Sequence, residues 1–106
     1  MIDHLSHPVL DVVIPVHTAE RPVRRAVASV LGVVDDPRLR VTVVCHEVGI
    51  AVIDELLAGL PCERIRLLAF SDGVRSPAGP LNAGLAAATA EYVAVMGSDD
   101  FFEPGA

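Results

Sequence analysis

The chain is short of basic charge, of cysteine and of long apolar runs. Eight Lys and Arg residues against fourteen Asp and Glu in 106 residues leave a net charge of −6. The overall field therefore repels nucleic acid and anionic lipid, and a polyanionic ligand needs local help such as a metal ion. Only two cysteines occur, Cys45 and Cys62, in no CxxC pair, which excludes a disulfide-built scaffold and fits a reducing cytoplasm. No run approaches ~18 apolar residues, and positions 1–8 lack the basic start and apolar stretch of a signal peptide. The expectation is a cytoplasmic protein with no transmembrane segment, leaving peripheral membrane attachment open.

The common phosphate and nucleophile signatures are also missing. No two of the eight glycines have G-x-G spacing, nothing matches a P-loop, and Gly97-Ser98 does not complete a G-x-S-x-G elbow. The histidines His4, His7, His17 and His46 lack local zinc-ligand spacing.

What the chain does have is apolar residues, 52% of the total, enough for one small core. Residues 1–106 therefore read as a single domain, with 1–8 as an N-terminal extension. The run from Val9 to Val16 is mostly β-branched and bounded by Pro8, which suits a buried strand with Asp11 near its start. From Pro22 the period changes: Val23, Ala26, Val27, Val30 and Leu31 share one helical face, opposite Arg24, Arg25 and Ser29, with Gly32 as the expected stop. Val41–Cys45 reads as a second strand, and Ile53, Leu56, Leu57 and Leu60 stripe a second helix ended by Gly59 and Pro61. Ile65–Phe70 is a third strand, 71–80 a loop, Leu81–Ala90 a third helix, and Tyr92–Met96 a fourth strand.

This alternation predicts an α/β, Rossmann-like open parallel sheet of about four strands with helices on both faces. In the common order 3-2-1-4 the switch point lies between strands one and four, where such sheets bind ligands. The loop at His17, Thr18 and Glu20 then stands beside Gly97-Ser98-Asp99-Asp100, with Cys45-His46-Glu47 next along. Asp99 and Asp100 are the oxygen-rich pair that could hold Mg2+ or Mn2+. An Asp-Asp dipeptide after a strand is also a common turn or cap, and Thr18 or Glu20 could simply start a helix. Adjacent residues of an extended segment point to opposite faces, so Cys45 is expected in the core rather than at a reaction centre.

Taken in order, these segments resemble the N-terminal, nucleotide-sugar-binding half of a family 2 glycosyltransferase with the GT-A fold. Val12 to Glu20, followed by Val23, Ala26, Ser29, Val30 and Leu31, resembles the family's opening strand, nucleotide loop and first helix. Leu81-Asn82-Ala83-Gly84-Leu85, Ala88 and Glu91-Tyr92-Val93-Ala94 resemble its "N-x-G … A-x-G-E-Y-I" segment, with Ala90 in place of glycine. Gly97-Ser98-Asp99-Asp100 falls on the acidic DxD region, and Glu103-Pro104 on the proline that often follows.

The resemblance implies that Asp99 and Asp100 contact a divalent metal, Mg2+ or Mn2+, and that Asp99 also contacts the diphosphate or ribose of a sugar-nucleotide donor. Pro15, His17 and Glu20 would border the nucleoside, and His46 and Glu47, which follow strand two, could meet the same ligand. The chain departs from the family at Cys45-His46-Glu47, where an aspartate-rich turn is usual, at Gly97 in place of the first acid of the DxD, and at Leu81 in place of an arginine. The family's acceptor-binding half and catalytic base fall beyond Ala106, so the resemblance implies a truncated product with little transfer activity alone, an acceptor of unknown kind and no catalytic residue within the chain. A free sheet edge is open to homo-oligomer formation. The alternative is a non-catalytic nucleotide-binding or interaction module of the same fold; a nucleotidyltransferase fits less well, because no glycine-rich basic loop follows strand one.

Overall fold

A computed structural model describes residues 9–18, 22–33, 38–71, 73 and 78–97. In chain order these are β1 (Leu10–Val16), α1 (Val23–Val33), β2 (Leu39–His46), α2 (Ile50–Leu56), a 3-10 turn (Cys62–Arg64), β3 (Ile65–Phe70), α3 (Ala78–Ala87) and β4 (Tyr92–Val95). The strands form one parallel sheet in the order β3-β2-β1-β4. This is the Rossmann-like arrangement expected from the alternation of periods.

The pleat sorts the side chains. Val12, Ile14 and Val16 of β1, with Val41, Val43 and Cys45 of β2, pack in one cluster with Val23, Ala26, Val27, Val30 and Leu31 of α1 and with Ile53 and Leu57. Arg24, on the outward side of α1, donates to Leu56 O at 3.1 Å and Ala58 O at 2.6 Å. It thereby satisfies carbonyls that the end of α2 leaves without intrahelical donors. The opposite face of the sheet carries Asp11, Val13, Thr42 and Val44, and α3 lies there against β1, β2 and β3.

The close seat of α3 depends on Gly84. A Cβ built there would collide with Val13 Cγ1 and lie 3.2 Å from Val44 Cγ2. At the lower end of α3 a buried charge cluster ties helix to sheet. The Asp11 carboxylate, fully buried, accepts from Thr42 Oγ1 at 2.8 Å, Arg40 NH2 at 3.0 Å and Arg66 NH2 at 3.4 Å. Arg66 NH2 also donates to Ala87 O at 2.9 Å, and Arg40 NH2 to Thr89 Oγ1 at 3.2 Å.

Several boundaries differ from the sequence expectation. Gly32 does not end α1, which runs on to Val33; a glycine on an exposed helix surface costs stability but breaks no hydrogen bond. The second helix is shorter than its stripe implied: Ile53 and Leu57 are buried, Leu56 is exposed, and the chain leaves the helix through Gly59 at φ 90°. The third helix starts at Ala78 and closes at Ala87, with Pro80 in its first turn, where no intrahelical donor is needed.

The Gly84 contact yields a direct expectation. Gly84→Ala should lower unfolding stability by about 1–3 kcal/mol through overpacking. Denaturant melts should show part of that loss recovered in Gly84→Ala combined with Val13→Ala.

Candidate functional site

The carboxyl edge of the sheet is shaped by one residue that cannot donate a hydrogen bond. Tyr92 N donates to Val9 O at 2.8 Å and Met96 N to Val13 O at 3.0 Å, so the odd-numbered residues of β1 face β4. The next rung would require the N–H of residue 15, and Pro15 has none. Pairing with β4 therefore stops at Val13, while pairing with β2 continues to Val16↔Cys45. The two neighbouring strands fork at the switch point, and Gly97 leaves β4 at this fork.

Around the fork the structure places some of the expected residues and leaves others aside. Pro15 is half-buried within β1, and His17 is exposed immediately beyond it. His46 ends β2 but is 4% exposed, its ring 5.6 Å from that of Phe70 at an interplanar angle of 53°. It lies on the α3 face, so its ring braces the strand end. Glu20, Asp99 and Asp100 lie outside the described residues. Among the described residues no group of three His, Cys, Asp or Glu side chains converges as a metal set.

Next to the fork, beyond β2 and β3, an open hollow of about 400 Å3 is lined by Cys45, Glu47, Val48, Ala69, Phe70 and Ser71. Glu47 is the charged residue of this lining. Glu47 has φ 59°, and its N–H donates to Phe70 O at 3.1 Å, one rung past the last β2–β3 register pair. That bond holds a non-glycine residue in the left-handed region, a strain typical of functional loops. Cys45 forms the floor, where burial pushes its thiol pKa up; the thiol is therefore less able to ionise to a nucleophile. Sequence reasoning named His46 and Glu47 together; of the two, Glu47 lines the hollow and His46 is buried on the other face. The alternation of a strand shows which neighbours part company, but not which of them a turn will carry into a cavity.

The strain at Glu47 is measurable. Glu47→Gly should be more stable than Glu47→Ala by about 1 kcal/mol, because only glycine enters that region without penalty. Urea titration of the two variants checks this.

Comparison with known proteins agrees with the geometry. The chain matches the family model for "Glycosyl transferase family 2" over residues 11–106. A 49-residue stretch, 46% of the chain, is 45% identical to the succinoglycan biosynthesis protein ExoO of Rhizobium meliloti (strain 1021), covering 14% of that protein. The fold superposes on a crystal structure of S. aureus TarS 1-349 with a TM-score of 0.67 at 22% identity, covering 87% of this chain and 28% of that one. A second S. aureus TarS structure gives 0.65 at 21% identity, with coverage of 87% and 17%. The chain thus spans less than a third of the length of these relatives. With the family model running across nearly all of it, the protein belongs to glycosyl transferase family 2.

Proposed function

We propose that the fork between β1 and β4 binds a nucleoside-diphosphate sugar, and that the protein transfers the sugar to an acceptor hydroxyl. The observation that carries this reading is the family match over residues 11–106. The missing rung at Pro15 supports it by opening the sheet where ligands of such folds bind.

In this reading Pro15, His17 and Glu20 border the nucleoside. The hollow at Glu47, Val48 and Ser71 lies beside them, with a carboxylate to accept a hydrogen bond. Asp99 and Asp100 would hold Mg2+ or Mn2+, since two carboxylates following a strand that ends at the fork are a hard oxygen donor set. The ion would neutralise charge on the departing diphosphate. Gly97, without a side chain, lets the diphosphate approach the backbone. No general base is assigned within residues 1–106.

Among the described residues no helix is long and apolar enough to cross a membrane. A cytoplasmic place for the protein is part of this proposal. So is self-association through β4, an edge strand on which Tyr92, Val93 and Val95 are exposed.

The second reading, a binding module without transfer activity, separates from the first on the aspartates. The transferase reading expects Mn2+-dependent binding of a nucleoside diphosphate, weakened about tenfold or more in Asp99→Ala and in Asp100→Ala, as loss of one charged contact would give. Calorimetric titration with and without Mn2+ tests it. Binding indifferent to metal and to both substitutions contradicts it and favours the module.

A further inference from the structure

At the opposite, amino edge of the sheet, the cluster around Asp11 holds, among the described residues, two positive charges against one negative. One fully buried carboxylate faces two guanidiniums, Arg40 NH2 at 3.0 Å and Arg66 NH2 at 3.4 Å. The distribution of donors is uneven. Arg66 NH2, with two hydrogens, has Asp11 Oδ2, Thr42 Oγ1 and Ala87 O within 3.4 Å. The Nε–H groups of both arginines, in contrast, are buried with no acceptor. A buried donor left unmade costs about 1–3 kcal/mol, and more when it is charged. Burial also pulls the Arg66 pKa below the usual arginine value, the charge of Arg40 lowers it further, and Asp11 only partly opposes them. Among the described residues such a site is short of one anion.

We propose that Arg40 and Arg66 bind a phosphate group at the amino edge of the sheet, at the far end of the strands from the donor site. A phosphate supplies the acceptors that the two Nε–H groups lack and the second negative charge that Asp11 alone does not provide. Guanidinium forks match its oxygens in bidentate fashion, and no metal is needed. The route in is open: the two side chains are 21% and 29% exposed. Because each guanidinium is one rigid plane, turning its Nε–H outward exchanges some of its NH2 contacts for oxygens of the ligand. Asp11, whose carboxylate faces both arginines, keeps the pair at this edge. The ligand class is free phosphate or a small phosphate monoester.

The test is thermal unfolding of the protein in EDTA, with inorganic phosphate raised at constant ionic strength against chloride. The wild-type protein should show a saturable upward shift of the midpoint with phosphate beyond that with chloride. Arg66→Lys and Arg40→Lys keep a cation beside Asp11 but remove the Nε–H and the planar fork. They should fold, by far-UV circular dichroism, and lose about tenfold or more in apparent phosphate affinity. A parallel titration with glycerol 3-phosphate assigns the site to esters if it reproduces the shift, and to the free ion if it does not. Equal responses to phosphate and chloride in the wild-type protein, or an undiminished phosphate response in both lysine variants, overturn the proposal. EDTA removes the metal that the donor site is proposed to need, so a failure here leaves that reading untouched.

Discussion

Strand β1 is hydrogen-bonded on both edges up to Val13, and beyond that the rung toward β4 would need an N–H that Pro15 does not carry. The parting of β4 from β1 follows from that absent donor. Pairing on the β2 side continues to Val16, so the strand remains anchored in the sheet while β4 is released after Met96. His17 and Gly97 are consequently delivered to the two sides of one gap. A hydrogen-bonding residue at position 15 could extend the ladder and narrow the fork.

The fork is useful only if the strands beneath it hold their register, and two features of the α3 face do that. Gly84 lets α3 settle on Val13 and Val44, and Asp11 gathers Thr42, Arg40 and Arg66 into a single cluster that also reaches Ala87 and Thr89. The cluster lies at the amino edge and the fork at the carboxyl edge of the same strands. Burying a charge as Asp11 is buried carries a desolvation penalty, which its three donors offset. A cluster of this kind favours one seating of helix and strands over its competitors.

Much of this was readable from the residues alone. β-branched runs separated by helical stripes gave four strands and their order, because period and crossover handedness leave few alternatives for a chain of this length. The third strand was placed to the residue, since Ile65–Phe70 is bounded on both sides by breakers. What escaped depended on tertiary contact or backbone geometry. Leu56 has the same character as Leu57 but turns outward because α2 ends there, and Glu47 enters the hollow because a hydrogen bond to Phe70 O holds it at a positive φ. The partnership of Asp11 with Arg40 and Arg66 joins three strands, and no local pattern announces it. The contribution of Pro15 needed the direction of each rung.

The central claim is that the donor is bound at the carboxyl edge of the sheet, at the fork, and not at the amino edge. It is tested most directly by two-dimensional NMR of the isotopically labelled protein with a nucleoside diphosphate and substoichiometric Mn2+. Paramagnetic broadening falls off steeply with distance from the ion. The account predicts selective loss of the amide signals of His17, Thr18 and Gly97, with those of Asp11, Arg40 and Arg66 at the opposite edge retained. Broadening centred on the amino edge, or spread evenly over both edges, would contradict it.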